Sequence, residues 1–125
     1  MKDIDVIRKI KAIIVVNFYY KFDNEDCIEL CLTDELNVYK GVIRHFCDKD
    51  KQKILILISR LTKLRKLDLR RNKLKNLPDS LFELENLIYL DLGSNHLGRI
   101  STKIINLKKL EYLNLSVNNL KTCPS

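Results

Sequence analysis

The apolar positions of this chain follow two different rhythms. In the first part Ile4, Ile7, Ile10 and Ile14 recur every three or four residues, with Lys2, Arg8, Lys9 and Lys11 elsewhere around the same turns. That spacing predicts an amphipathic helix. Further on, residues 27–32 (CIELCL) predict a strand, and Leu36, Tyr39, Val42, Ile43 and Phe46 predict a second helix. From residue 64 the pattern repeats. Segments 64–86 and 87–109, and the shorter 110–125, align at a constant period of 23. Each opens L-x-x-L-x-L-x-x-N-x-L: Leu64/Leu67/Leu69/Leu74, Leu87/Leu90/Leu92/Leu97 and Leu110/Leu113/Leu115/Leu120, with Asn72, Asn95 and Asn118 in the asparagine slot.

The L-x-L element alternates, so its two leucines point one way and the residue between them the other. One such strand cannot bury its leucine side alone, whereas a second repeat beside it supplies a parallel neighbour and a shared core. The tight turn that follows leaves backbone donors and acceptors in need of partners. An asparagine side chain offers both kinds of group, so Asn72, Asn95 and Asn118 are read as a structural ladder joining one turn to the next. The remainder of each repeat, Leu77-Pro78-x-x-Leu81-x-x-Leu84 and Ile100-x-x-x-Ile104-x-x-Leu107, has the spacing of a short helical turn. Ile54, Ile58 and Leu61 stand 23 residues before Leu77, Leu81 and Leu84, so residues 54–63 read as a partial repeat. The matching strand would fall at 41–51, where Arg44, Phe46, Lys49 and Lys51 fill the slots and only Phe46 suits its place. Residues 1–53 therefore read as an atypical cap covering the leucines at the start of the stack.

Three in-register copies of this motif resemble the leucine-rich-repeat family. The resemblance implies an α/β repeat solenoid: a short horseshoe segment with parallel strands on its concave face, here with a mainly helical N-terminal cap. The L-P-x-x-L element with a period of 23 is similar to the cytoplasmic class of these repeats, although Ser101 replaces the proline in the second copy. Cys123-Pro124 occupies the Leu77-Pro78 position, so Cys123 is expected to be buried and inert. The resemblance also implies that partners dock on the outward residues of the strands. These are Lys66, Asp68, Arg70 and Arg71 from the first, Tyr89, Asp91, Gly93 and Ser94 from the second, and Tyr112, Asn114, Ser116 and Val117 from the third. Two columns emerge, Lys66/Tyr89/Tyr112 and Asp68/Asp91/Asn114. Stacked tyrosines suit an interface, and they equally suit stabilisation of a sheet. Arg70 and Arg71 beside Asp68 form a mixed-charge patch that could pair with acidic side chains or phosphate, or be a solvated rim.

Composition narrows the alternatives. The 125 residues suffice for one domain, and with 3 glycines and 2 prolines they contain no flexible linker. The net charge of +7 includes no block of like charges, which leaves nucleic-acid binding as the second reading of function. A regulatory subunit of an enzyme is a third. Cys27, Cys31, Cys47 and Cys123 form no C-x-x-C pair, and a reducing compartment fits them best. The apolar run 12–16 is too short to span a bilayer and follows acids where a signal peptide carries positive charge, so a cytoplasmic or nuclear location is expected. The first helix could lie on a membrane surface, but a face turned to the core is the preferred expectation. No phosphate-binding glycine loop, G-x-S-x-G or H-E-x-x-H is present, and His45 and His96 are assigned to structure or surface. No catalysis, cofactor or metal is expected. The sequence points to a protein-binding adaptor, scaffold or small inhibitor. Its third repeat lacks a recognisable cap, so that edge is expected to be covered by a partner, by another copy, or by more chain.

Overall fold

The computed structural model describes residues 2–14, 18–34 and 37–120. Its elements are α1 (Asp3–Ile13), β1 (Tyr19–Asp23), β2 (Asp26–Cys31), β3 (Thr33–Asp34), β4 (Asn37–Gly41), α2 (Asp48–Ile58), β5 (Lys66–Asp68), β6 (Tyr89–Asp91) and β7 (Tyr112–Asn114). Two 3-10 turns, Asp79–Glu83 and Thr102–Asn106, lie between the last three strands. One sheet has the order β1-β2-β5-β6-β7, antiparallel at β1/β2 and parallel beyond, and β3 and β4 form a separate hairpin.

The parallel register is that of the repeat. Leu67 pairs with Leu90 and Leu90 with Leu113, so equivalent leucines of successive repeats lie side by side. Leu64, Leu67, Leu69, Leu74, Leu87, Leu90, Leu92 and Leu97 are all buried in one core cluster. The 3-10 turns make the return path. Pro78 precedes the first, where its fixed φ suits a helix start and its missing N–H costs nothing. Ser101 holds the same place before the second, and its hydroxyl accepts the Lys103 N–H at 3.1 Å. A side-chain cap thus replaces the proline.

The first half differs from expectation in two respects. No helix covers 36–46: Asn37–Gly41 is a strand, turns follow to Phe46, and Leu36 lies outside the described residues. Val42 and Ile43 enter the core from these turns, and the Ile43 N–H is held by Asn72 Oδ1 at 2.9 Å. Residues 41–51, which fit the repeat poorly, hold no repeat strand: α2 starts at Asp48. The strand beside β5 is β2, with Leu30 against Leu67 and the Leu32 N–H bonded to Asp68 O, as the Leu69 N–H is to Asp91 O. Leu30 and Leu32 are therefore the L-x-L pair of an earlier coil. Finally, the N-terminal part is not mainly helical, since α1 and the start of α2 accompany two hairpins.

The earlier coil was disguised by insertions. Eleven positions separate Leu32 from Ile43 where five separate Leu69 from Leu74, and the β3/β4 hairpin fills the difference. Twenty-one separate Ile43 from Leu64 where thirteen separate Leu74 from Leu87, and α2 takes up that excess. Ile54, Ile58 and Leu61 are buried within and just after α2, which packs against the first 3-10 turn. At the start of the chain, α1 buries Val6, Ile7 and Ile10, and Ile14 follows them into the core. Most of its apolar face is turned to the core, while Ile4 stays 37% exposed. Asp3 Oδ2 accepts the Cys27 N–H at 2.8 Å and ties α1 to β2.

Candidate interaction face

The leucines of the strands face the core, which leaves the residues between them on the open face of the sheet. Lys66, Tyr89 and Tyr112 stand in one row, set by the strand register. The Tyr89 and Tyr112 rings are stacked, with centroids 4.3 Å apart and planes 4° from parallel. Lys66 Nζ lies 5.0 Å from the Tyr89 ring centre, a cation–π contact. Tyr112 is 44% exposed and Tyr89 less so. Burial and the neighbouring carboxylates push the Tyr89 hydroxyl up to about 12. The row continues where sequence reasoning had not followed it. Glu29 of β2 pairs with Lys66, and Lys21 of β1 pairs with Glu29, with 3.7 Å between Nζ and Oε2. The face is thus five strands wide.

The second row behaves differently from its expected role. Asp68 and Asp91 are only 4% and 2% exposed. Each carboxylate folds back on its own strand end: Asp68 Oδ1 accepts the Arg70 N–H at 3.1 Å and Asp91 Oδ1 the Gly93 N–H at 2.9 Å. Asn114 Oδ1 does the same for Ser116, at 2.9 Å from its backbone N–H and 2.6 Å from its hydroxyl. An oxygen two residues before the turn is what these three slots share, which explains why Asp and Asn interchange there. Asp68 and Asp91, expected on the partner surface, are buried turn-forming groups. Tyr19 and Cys31 extend this row on β1 and β2.

Arg70 connects the rows. Its Nε lies 3.0 and 3.1 Å from the two oxygens of Asp68, its Nη2 2.8 Å from Asp68 Oδ2, and its Nε 3.4 Å from Asp91 Oδ2. The same Asp91 oxygen accepts the Tyr89 hydroxyl at 3.3 Å. These bonds, foremost those to Asp68, hold the guanidinium protonated well above its ordinary range. The next residue of each turn, Arg71, Ser94 and Val117, has a left-handed backbone with φ of 60°, 55° and 54°. Arg71, Ser116 and Val117 are exposed, and Ser94 is half-buried.

Beneath the turns run the asparagines. Asn95 Nδ2 donates to Leu92 O and Gly93 O of its own turn and to Leu69 O of the preceding one, at 2.9–3.2 Å. Its Oδ1 accepts the N–H groups of Asn72 and Leu74, at 3.0 and 3.1 Å. Asn72 repeats this toward Leu32 O and the Ile43 N–H, and Asn118 toward Leu92 O and the Leu97 N–H.

Among the described residues no group of three or more His, Cys, Asp or Glu side chains could hold a metal. Cys27, Cys31 and Cys47 are free thiols. Burial pushes Cys27 up to about 12 and Cys31 to about 11, while Cys47 is exposed. Cys123 lies outside the described residues. His45 and His96 are both exposed. No helix among the described residues is long and apolar enough to cross a membrane.

Comparison with known proteins adds one match: a family model described as leucine rich repeat covers residues 62–121. No curated protein and no solved structure matches the chain.

Proposed function

This chain belongs to the leucine-rich-repeat family, and from that premise we propose that it is a non-catalytic protein-interaction module that holds a partner protein on the open face of its sheet, the concave side of a short horseshoe. Domains of this family generally mediate protein–protein contacts. The observation that carries the reading for this chain is the Lys66/Tyr89/Tyr112 row, two aromatic rings stacked at 4.3 Å and flanked by a cation. Large rigid rings with a polar tip contribute most where they are buried by a partner. Adaptor, scaffold or small inhibitor are the roles such a module serves, and a cytoplasmic setting accords with the 23-residue repeat class and the free thiols. Lys66, Tyr89, Tyr112, Ser94 and Ser116, with the outer edges of Arg70 and Arg71, would make the contacts. The test is capture of partners from lysate with the parent chain and with Tyr89→Ala/Tyr112→Ala, both shown to be folded by circular dichroism. Partners identified by mass spectrometry should be lost with the double variant, and unchanged capture would refute the reading.

A separate observation supports association between copies. Leu113 is 40% exposed although its equivalents Leu67 and Leu90 are buried, and β7 is the edge strand of the sheet among the described residues. Edge strands with apolar side chains favour pairing with another chain. A monomer mass from sedimentation at high concentration would exclude such pairing.

A further inference from the structure

The proposed partner surface says nothing yet of which peptide chemistry it selects, and Arg70 bears on that. Its Nε and Nη2 are committed to Asp68 and Asp91, which fix the plane of the guanidinium. No bond among the described residues uses Nη1. Among the described residues no buried side-chain nitrogen or oxygen lacks a partner, so Nη1 reaches solvent, in keeping with a side chain 39% exposed. A guanidinium locked by internal bonds and presenting its outer edge is preorganised for a carboxylate, because little side-chain freedom remains to be lost on binding.

The surroundings favour the same guest. Asp68 and Asp91 lie below the surface, and their charge is offset in part by Arg70 and by the backbone N–H groups bonded to them. The charged side chains at the surface around this point are Arg65, Lys66, Arg70 and Arg71, against Glu111 on the repeat strands and Glu29 beside Lys66 on β2. Asp91 Oδ2 touches both the Tyr89 hydroxyl and Arg70, so the cationic edge adjoins the stacked rings.

We propose that the open face selects an extended acidic peptide segment: one of its carboxylates is held by Arg70 Nη1 and Lys66, and a flat side chain of the same segment lies on the exposed ring of Tyr112. The proposal rests on the reading of this face as the partner surface, and its test separates the two. Random displayed nonapeptides are selected on the immobilised chain, then measured by fluorescence anisotropy against the parent chain, Lys66→Glu, Arg70→Gln and Tyr112→Ala, with a labelled single-stranded DNA as competitor. Selected peptides are expected to be rich in Asp and Glu next to an aromatic residue. Their affinity should fall about tenfold in Lys66→Glu and again when salt is raised. Lys66→Glu keeps the test valid if Arg70→Gln, which uncouples two buried acids, fails to fold. Selection of neutral or basic peptides that still depend on Tyr112 would overturn the carboxylate site and leave the face intact. Acidic peptides indifferent to Lys66 and Tyr112 would remove both readings. No enrichment at all, or displacement by the DNA, would also overturn the proposal.

Discussion

Replacing Asn95 with alanine tests the internal bonding of the repeat most sharply. The side chain is buried, and its Oδ1 is the acceptor for the N–H groups of Asn72 and Leu74. Alanine leaves both donors buried without a partner, and each such orphan costs about 1–3 kcal/mol. The three carbonyls served by Nδ2 suffer less, because a carbonyl has a second lone pair and other donors nearby. The sum is about 3–5 kcal/mol, a large part of the stability of a domain this size. Asn118→Ala is the internal control. Its Oδ1 accepts one described donor, the Leu97 N–H, and the residue is half-buried, so about half the loss is expected. Urea unfolding followed by circular dichroism gives both values. A loss below about 1 kcal/mol for Asn95→Ala, or equal losses at the two sites, would refute the reasoning.

Three other outcomes follow from particular residues. Val117 combines a branched side chain with a φ of 54° and 75% exposure, so Val117→Asn should raise stability by about 1 kcal/mol; an unfolding midpoint that stays or falls argues against strain there. A methyl on Gly41 would collide with the Asn72 side chain and Arg71 O, whereas one on Gly98 meets nothing within 4 Å, so Gly41→Ala should cost about 2–3 kcal/mol and Gly98→Ala almost nothing in the same urea assay. Cys27, Cys31 and Tyr89 all ionise less readily when folded, at about 12, 11 and 12 against ordinary values of 9.0, 9.0 and 10.0. The unfolded chain therefore releases protons first, and stability should be full below pH 9 and decline as pH rises toward 12; a flat or rising midpoint over that window would contradict the burial of these groups.

The repeats from residue 64 onward were legible because a leucine column has few alternative uses: Leu67, Leu90 and Leu113 could share an interior only by standing on adjacent parallel strands. The earlier coil was hidden because its landmarks are displaced. Leu30-Cys31-Leu32 is the L-x-L signal that could have revealed it, but a hairpin and a longer helix put Leu30 37 positions before Leu67 instead of 23. The failed helix over 36–46 shows the weakness of short apolar spacings, which a strand followed by a turn satisfies equally. The tyrosine row could be read from alternation alone, since a ring in an outward slot is too large to turn back. Aspartate is not. Asp68 and Asp91 occupy outward slots, yet their short carboxylates return to their own turns, a competition between backbone and solvent that alternation cannot register. Lys21 and Glu29 were missed with the coil that carries them.

The central claim is that partners meet the open face through the tyrosine row, and site-specific photocrosslinking examines it directly. A benzophenone side chain at position 112 should yield a crosslinked partner on illumination, while the same group at Ile105, exposed on the return side, should yield none. Crosslinking from position 105 with silence at position 112 would contradict the account.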